Sequence, residues 1–166
     1  MKFRAEHSFR GISLADYEQL YFNEDFNAAL CKAVKLARAL EKRDLKDGKL
    51  SRVVRVGPDR EIPPPVAKLL GASRIEYTEH LTYTFRSYNG VWHTVSSVFT
   101  DKIDSRGTFG FSAVKDGVTR VVEGDIKVKV FGIGGVIERF IVADVERSYK
   151  DAAQFTQRFI DGGGKA

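Results

Sequence analysis

An α+β fold, a curved antiparallel sheet wrapped around a long carboxy-terminal helix with two short helices after the first strand, is predicted by three features of this 166-residue chain. From Arg74 to Val130 the sequence breaks into alternating segments separated by polar turns, the signature of an antiparallel meander. From Val136 onward the apolar residues Ile137, Phe140, Ile141, Val145, Tyr149, Ala152, Phe155 and Phe159 recur at helical spacing, forming one broad stripe with charge opposite it. Between the opening strand and the meander, two short helical patterns carry their own start signals.

The elements follow in order. Residues 2–10 alternate, with Phe3, Ala5, His7 and Phe9 facing one way and Lys2, Arg4, Glu6, Ser8 and Arg10 the other. After Gly11, Ser13 is suited to cap a helix through Leu14, Tyr17 and Leu20, with Asp16 placed where an acid favours the free amides. Asn23 starts a second helix through Phe26 and Leu30 toward Val34. Residues 36–45 and 50–56 read as strands joined at Asp47-Gly48, a strong hairpin signal. Three prolines at 63–65 exclude a central strand, and Val66 to Leu70 reads as one or two helical turns ending at Gly71. Strands at 74–88, 91–100, 106–115 and 118–130 follow, with turns expected at Asn89-Gly90, around Asp101 to Ser105, and at Asp116-Gly117. No linker or shift in composition divides the chain, so one domain over 1–162 with a flexible tail at 163–166 is expected.

Composition narrows the function. Cys31 is the only cysteine, which rules out an intrachain disulfide and a thiolate metal cluster and fits a reducing cytoplasm. The formal charge of +5 suits transient contact with an acidic membrane surface. The densest basic stretch, Arg38 to Arg60, also holds Glu41, Asp44, Asp47 and Asp59, which argues against a nucleic-acid partner. His7, His80 and His93 are scattered, with no HExxH or CxxC, so neither a metal nor another cofactor is expected. Glycines 132, 134 and 135 match neither a Walker motif nor a dinucleotide fingerprint, and read as a sharp turn that brings the last helix close to the sheet.

The order of elements resembles the START-like (SRPBCC, Bet v 1-like) superfamily, whose helix-grip fold includes plant allergens and polyketide cyclases. More narrowly, EGDIKVKVFGIGGVIERFI, then VERSYKDAAQFTQRFI, and the amino-terminal SFRGISLADYEQLYFNEDFNAAL are similar to the DUF2505 family of uncharacterised bacterial proteins. That resemblance implies a cavity for a hydrophobic ligand more strongly than any reaction, because the superfamily spans carriers, receptors and enzymes.

Candidate lining residues come from the inward rows. Ile75, Tyr77, Glu79, Leu81, Tyr83 and Phe85 share one face of their strand, with Glu79 the polar exception. Phe109 and Phe111 follow, then Ile126 and Val128, with Gly124 either leaving ligand space or easing sheet coiling. The helix adds Ile137, Phe140 and Ile141. His7 is the polar member of its row, and with Glu79 would orient a ligand oxygen if the two met; the alternatives are a rim position for Glu79 and a backbone hydrogen bond for His7. Trp92 and His93 head two rows of similar character, and which one faces inward is left open. Residues 62–72 and 101–106 are expected to form the lips of an opening.

The expected function is non-catalytic binding or transport of a lipid or other hydrophobic small molecule by a monomer. A cyclase-, aromatase- or hydrolase-like enzyme using His7 or Glu79 as general base, with Tyr83 orienting an oxygen, is one alternative. A protein-interaction module without ligand is the other.

Overall fold

The computed structural model describes residues 1–164; of the expected tail at 163–166, residues 165 and 166 lie outside the described residues. Strand β1 (Lys2–Arg10) leads into helices α1 (Leu14–Tyr21) and α2 (Glu24–Ala33). A hairpin, β2 (Leu36–Lys46) and β3 (Lys49–Pro58), precedes a short helix α3 (Pro64–Leu70). Strands β4 (Tyr77–Thr84), β5 (Asn89–Ser96), β6 (Ile103–Val114) and β7 (Gly117–Val128) complete the sheet, and α4 (Gly134–Asp161) ends the fold. All seven strands form one antiparallel sheet in the order β1-β7-β6-β5-β4-β3-β2, a helix-grip arrangement whose edges stay open.

Local chemistry accounts for the boundaries. Ser13 Oγ accepts the Asp16 amide at 3.1 Å, and Asn23 Oδ1 accepts the Phe26 amide at 2.8 Å, so each short helix begins on a side-chain cap. Helix α3 starts on proline and stops at Gly71, whose φ of +67° closes it in the left-handed region. At the β2–β3 turn Asp47 and Gly48 both take positive φ, as a tight hairpin requires.

Two expected turns are displaced. Asn89-Gly90 begins β5 instead of turning; the reversal lies at residues 85–88, where Arg86 and Tyr88 take positive φ. Gly90 is glycine for a different reason: a Cβ there would stand 2.3 Å from the Phe109 ring. The link expected at Asp101 to Ser105 falls earlier, at residues 97–102, and Ile103 already pairs with Val128 in β6.

Packing divides the concave face into two parts. At one end α1 lies over β6 and β7, and Tyr17, Tyr21, Phe22, Tyr83, Phe109 and Phe111 form a dense aromatic cluster with ring centroids as close as 4.5 Å. Helix α4 lies over β1 and β7 and stands off from β3, β4 and β5. The glycine-rich turn sets that path: Gly132 takes a φ of +78°, and a Cβ on Gly134 would stand 2.3 Å from the Val128 carbonyl. Glu138 Oε1 then accepts the Val128 amide at 2.9 Å, pinning the first turn of α4 to the end of β7.

Candidate ligand cavity

Where α4 stands off the sheet, a cavity of about 250 Å³ remains. Its floor comes from inward residues of β3 to β7, its roof from Phe140, Ile141, Val145 and Tyr149 of α4, and its ends from α1 and α2. The β4 row faces inward as its alternation predicts, and Tyr77 and Glu79 line the cavity together with Ile126, Phe140 and Ile141.

The other expected lining residues lie elsewhere. Leu81, Tyr83, Phe109 and Phe111 are buried in the core, and Phe85 packs against that core from the rim of the aromatic cluster. Val128 and Ile137 are buried where α4 meets the end of the sheet. None of these seven reaches the cavity wall, because α1 and the start of α4, to which Ile137 itself belongs, pack directly on the sheet there. His7 does face inward but does not line the cavity, and it does not meet Glu79. The sheet order accounts for this: β1 and β4 are separated by three strands, so their side chains cannot pair. Gly124 opens no ligand space either, since a Cβ there would stand 2.5 Å from Phe3 and 2.6 Å from Trp92, whose rings cover it. Of the expected lips, Ile62, Ile103 and Ser105 contribute to the walls.

Trp92, Thr94 and Ser96 form the inward row of β5. His93 lies on the outer face, stacked on His80 of β4 with ring centroids 4.6 Å apart.

The polar residues of the cavity are mostly ones that sequence reasoning passed over. Arg38 pairs with Glu24 at 2.6 Å, and Arg52 lies 3.3 Å from Glu79 and 3.8 Å from Glu24. Two guanidinium groups thus face two carboxylates, a balanced network of the kind that a partly buried charge requires. Arg120 differs. It is 3% exposed, and among the described residues no carboxylate pairs with it. Its guanidinium lies between the rings of Phe9 and Tyr149, 5.4 and 5.2 Å from their centroids, and its Nη2 donates to His7 Nδ1 at 3.2 Å. An arginine has no acceptor, so His7 carries its own proton on Nε2. Burial, and then the Arg120 charge, hold the His7 imidazolium below the usual histidine range.

Burial pushes the phenols of Tyr17, Tyr21, Tyr77 and Tyr149 up from their ordinary range, so all four remain neutral donors around the cavity. Burial also pushes up the Cys31 thiol, which lines the α2 side and is correspondingly a poor nucleophile. Among the described residues no group of three or more His, Cys, Asp or Glu side chains is arranged to hold a metal ion. No described helix is long and apolar enough to cross a membrane.

The sequence did carry a signal for two of the three missed arginines. Arg52 interrupts the inward row Leu50, Val54, Val56, and Arg120 interrupts Val118, Val122. A charged residue at an inward position of an otherwise apolar strand marks a site that the core does not itself require.

Comparison with known proteins agrees with this architecture. The model of a protein family of unknown function, DUF2505, matches residues 5–160. The chain belongs to the DUF2505 family. No functionally curated protein matches it significantly. Among solved structures, TTHA0849 from Thermus thermophilus is similar at a TM-score of 0.63 and 10% identity, covering 99% of this chain and 100% of its own. Ms6760 from Mycobacterium smegmatis gives a TM-score of 0.63 at 11% identity, over 95% of this chain and 89% of its own. An uncharacterised protein from Rhizobium leguminosarum gives 0.61 at 13% identity, over 97% and 94%. At such identities the likeness is one of fold, and a DUF2505 chain is seen to share its sheet-and-helix arrangement with proteins from several bacteria.

Proposed function

We propose that this DUF2505 protein binds or carries a lipid or other hydrophobic small molecule, without catalysing a reaction, in the cavity between the sheet and α4. The observation that carries the reading is the cavity itself, left where α4 stands off β3 to β5 and walled largely by aromatic and aliphatic side chains. Placement of the family within the START-like superfamily is part of the same proposal, supported by the helix-grip arrangement. The volume lies near the lower end of the range for ligand pockets, about 300–1,000 Å³, which favours a compact ligand over one the size of a sterol.

A carrier is favoured over an enzyme because the reactive side chains at the cavity are engaged by neighbours, the lining carboxylate Asp144 by Arg60 and Arg147. Cys31 is held as a thiol, His7 is engaged by Arg120 outside the cavity, and Glu79 is taken by Arg52. The formal charge of +5 supports passing contact with an acidic membrane during loading, and the single cysteine supports a cytoplasmic location for a monomeric carrier.

Native mass spectrometry of gently purified protein, followed by denaturing extraction, tests the reading. A reproducible hydrophobic adduct, released on unfolding, is expected. Clean apo protein that is also not stabilised by any member of a broad lipid and aromatic panel would overturn it in favour of a protein-interaction role.

A further inference from the structure

Resting on the cavity reading above, we propose that the ligand carries an acid group, a carboxylate, which is seated on Arg120. Two independent features of the cavity lead there.

The first is charge. Three arginines line the cavity, and two of them, Arg38 and Arg52, are matched by Glu24 and Glu79. Arg120 is the most deeply buried of the three, and its surroundings are a neutral imidazole, two aromatic faces and the neutral phenols of Tyr17, Tyr21 and Tyr149. These groups solvate a cation in part but supply no negative charge. An unpaired buried guanidinium is strongly unfavourable, and an anion delivered by a ligand offsets that penalty.

The second is hydrogen bonding. Among the described residues the buried side-chain polar atoms without a partner are Arg38 Nη2, Arg52 Nε and Nη1, Trp92 Nε1, Arg120 Nε and Glu24 Oε1. Glu24 Oε1 and Arg52 Nη1 face each other at 3.8 Å and offset one another. The four that remain are all donors, and all belong to residues that line the cavity. The phenol hydroxyls of Tyr21, Tyr77 and Tyr149 also make no hydrogen bond to another described residue, while that of Tyr17 stands against Arg120 itself. A cavity lined by unused donors selects a ligand rich in acceptors. A carboxylate has two acceptor oxygens and no donor, and a guanidinium is the side chain best shaped to take it. His7 holds Nη2 and so orients the fork with Nε left for the ligand. The aliphatic and aromatic wall of Ile126, Phe140 and Ile141 takes the remainder of the molecule.

The test pairs acids with neutral counterparts of the same shape: decanoate with 1-decanol, and 2-naphthoate with 2-naphthalenemethanol. Binding to the full chain is followed by titration of Trp92 fluorescence and by thermal shift. At least one acid is expected to bind ten-fold or more tighter than its alcohol, and which pair shows the preference separates aliphatic from aromatic acids. Arg120→Met is expected to remove that preference while leaving alcohol binding within about two-fold. Arg120→Lys, which keeps the charge and loses the fork, is expected to keep a reduced preference. The unliganded Arg120→Met protein is expected to melt at or above the wild-type temperature, whereas a residue needed only for the fold would lower it.

Alcohols binding as well as their acids would overturn the inference and leave the cavity reading standing. Neither class binding would overturn both. If Arg120→Met does not fold, the acid and alcohol titrations on the wild-type chain still decide the matter.

Discussion

Tyr83 donates its hydroxyl proton to Glu18 across 2.5 Å, and the same carboxylate oxygen accepts the Arg86 amide at 2.8 Å. Glu18 is 3% exposed, and it joins α1 to the end of β4 at the place where Arg86 must adopt a positive φ. Glu18→Ala leaves a buried phenol and a backbone amide without their acceptor, and is expected to destabilise the protein by about 1–3 kcal/mol. Tyr83→Phe is expected to have a smaller effect, because Glu18 keeps the amide. Urea unfolding of both variants and their double mutant measures the coupling; full additivity would show that the two side chains do not interact.

The His80–His93 stack is expected to contribute, with His7, to a loss of stability at acidic pH. Burial, then His80 and Arg106, hold the His93 imidazolium below the usual histidine range. The unfolded chain therefore takes up a proton near pH 6.5 that the folded chain resists, and stability falls as the pH drops below that value. His93→Gln is expected to flatten this slope in melting curves recorded between pH 8 and pH 5. At the other extreme, burial pushes up the phenols of Tyr17 and Tyr77, so the unfolded state loses protons first and stability is expected to fall again above about pH 10.

Gly107 and Gly124 face each other across β6 and β7, beneath the rings of Trp92 and Phe3. Gly124→Ala forces those rings aside, at an expected cost of about 1–3 kcal/mol. Gly107→Ala is expected to be worse, since its Cβ would stand 1.9 Å from the Glu123 backbone carbonyl, which cannot swing away. Trp92 is the only tryptophan, so a shift in its emission reports the movement directly. Unchanged emission in folded Gly124→Ala would contradict the close approach.

Two apolar residues only a few positions apart should behave in opposite ways. Ile137 is fully buried on the inner face of α4, and its change to alanine is expected to cost about 2–5 kcal/mol. Phe131, at the turn before α4, is fully exposed, and its change to alanine is expected to leave stability within about 0.5 kcal/mol. Denaturant midpoints of the two variants check both statements.

Much of the fold was legible because it rests on local periodicity. The inward row of β4, the Ser13 and Asn23 caps and the stripe of α4 all follow from spacing along a single element. The cavity was harder to read because it depends on where α4 stands off the sheet, a relation between elements. Seven expected lining residues lie in the core, as their spacing implies, yet α1 and the start of α4 pack against the sheet there and leave no space beside them. Gly90 misleads for a similar reason: its glycine serves the Phe109 ring on a neighbouring strand, and the turn itself lies just before it, at residues 85–88. Arg52 and Arg120 were overlooked because an apolar row was read for its majority, although the exceptions carry the charge.

The position of β1 bears on how the chain acquires its structure. Its partner is β7, so Lys2 waits for Asp125, more than a hundred residues later, before it can pair. Strands β2 to β6, by contrast, each join their neighbour in sequence and can assemble as they leave the ribosome. Phe3 and Phe9 therefore stay uncovered until β7 is made, and closing so long a loop makes β1 a late strand to fold.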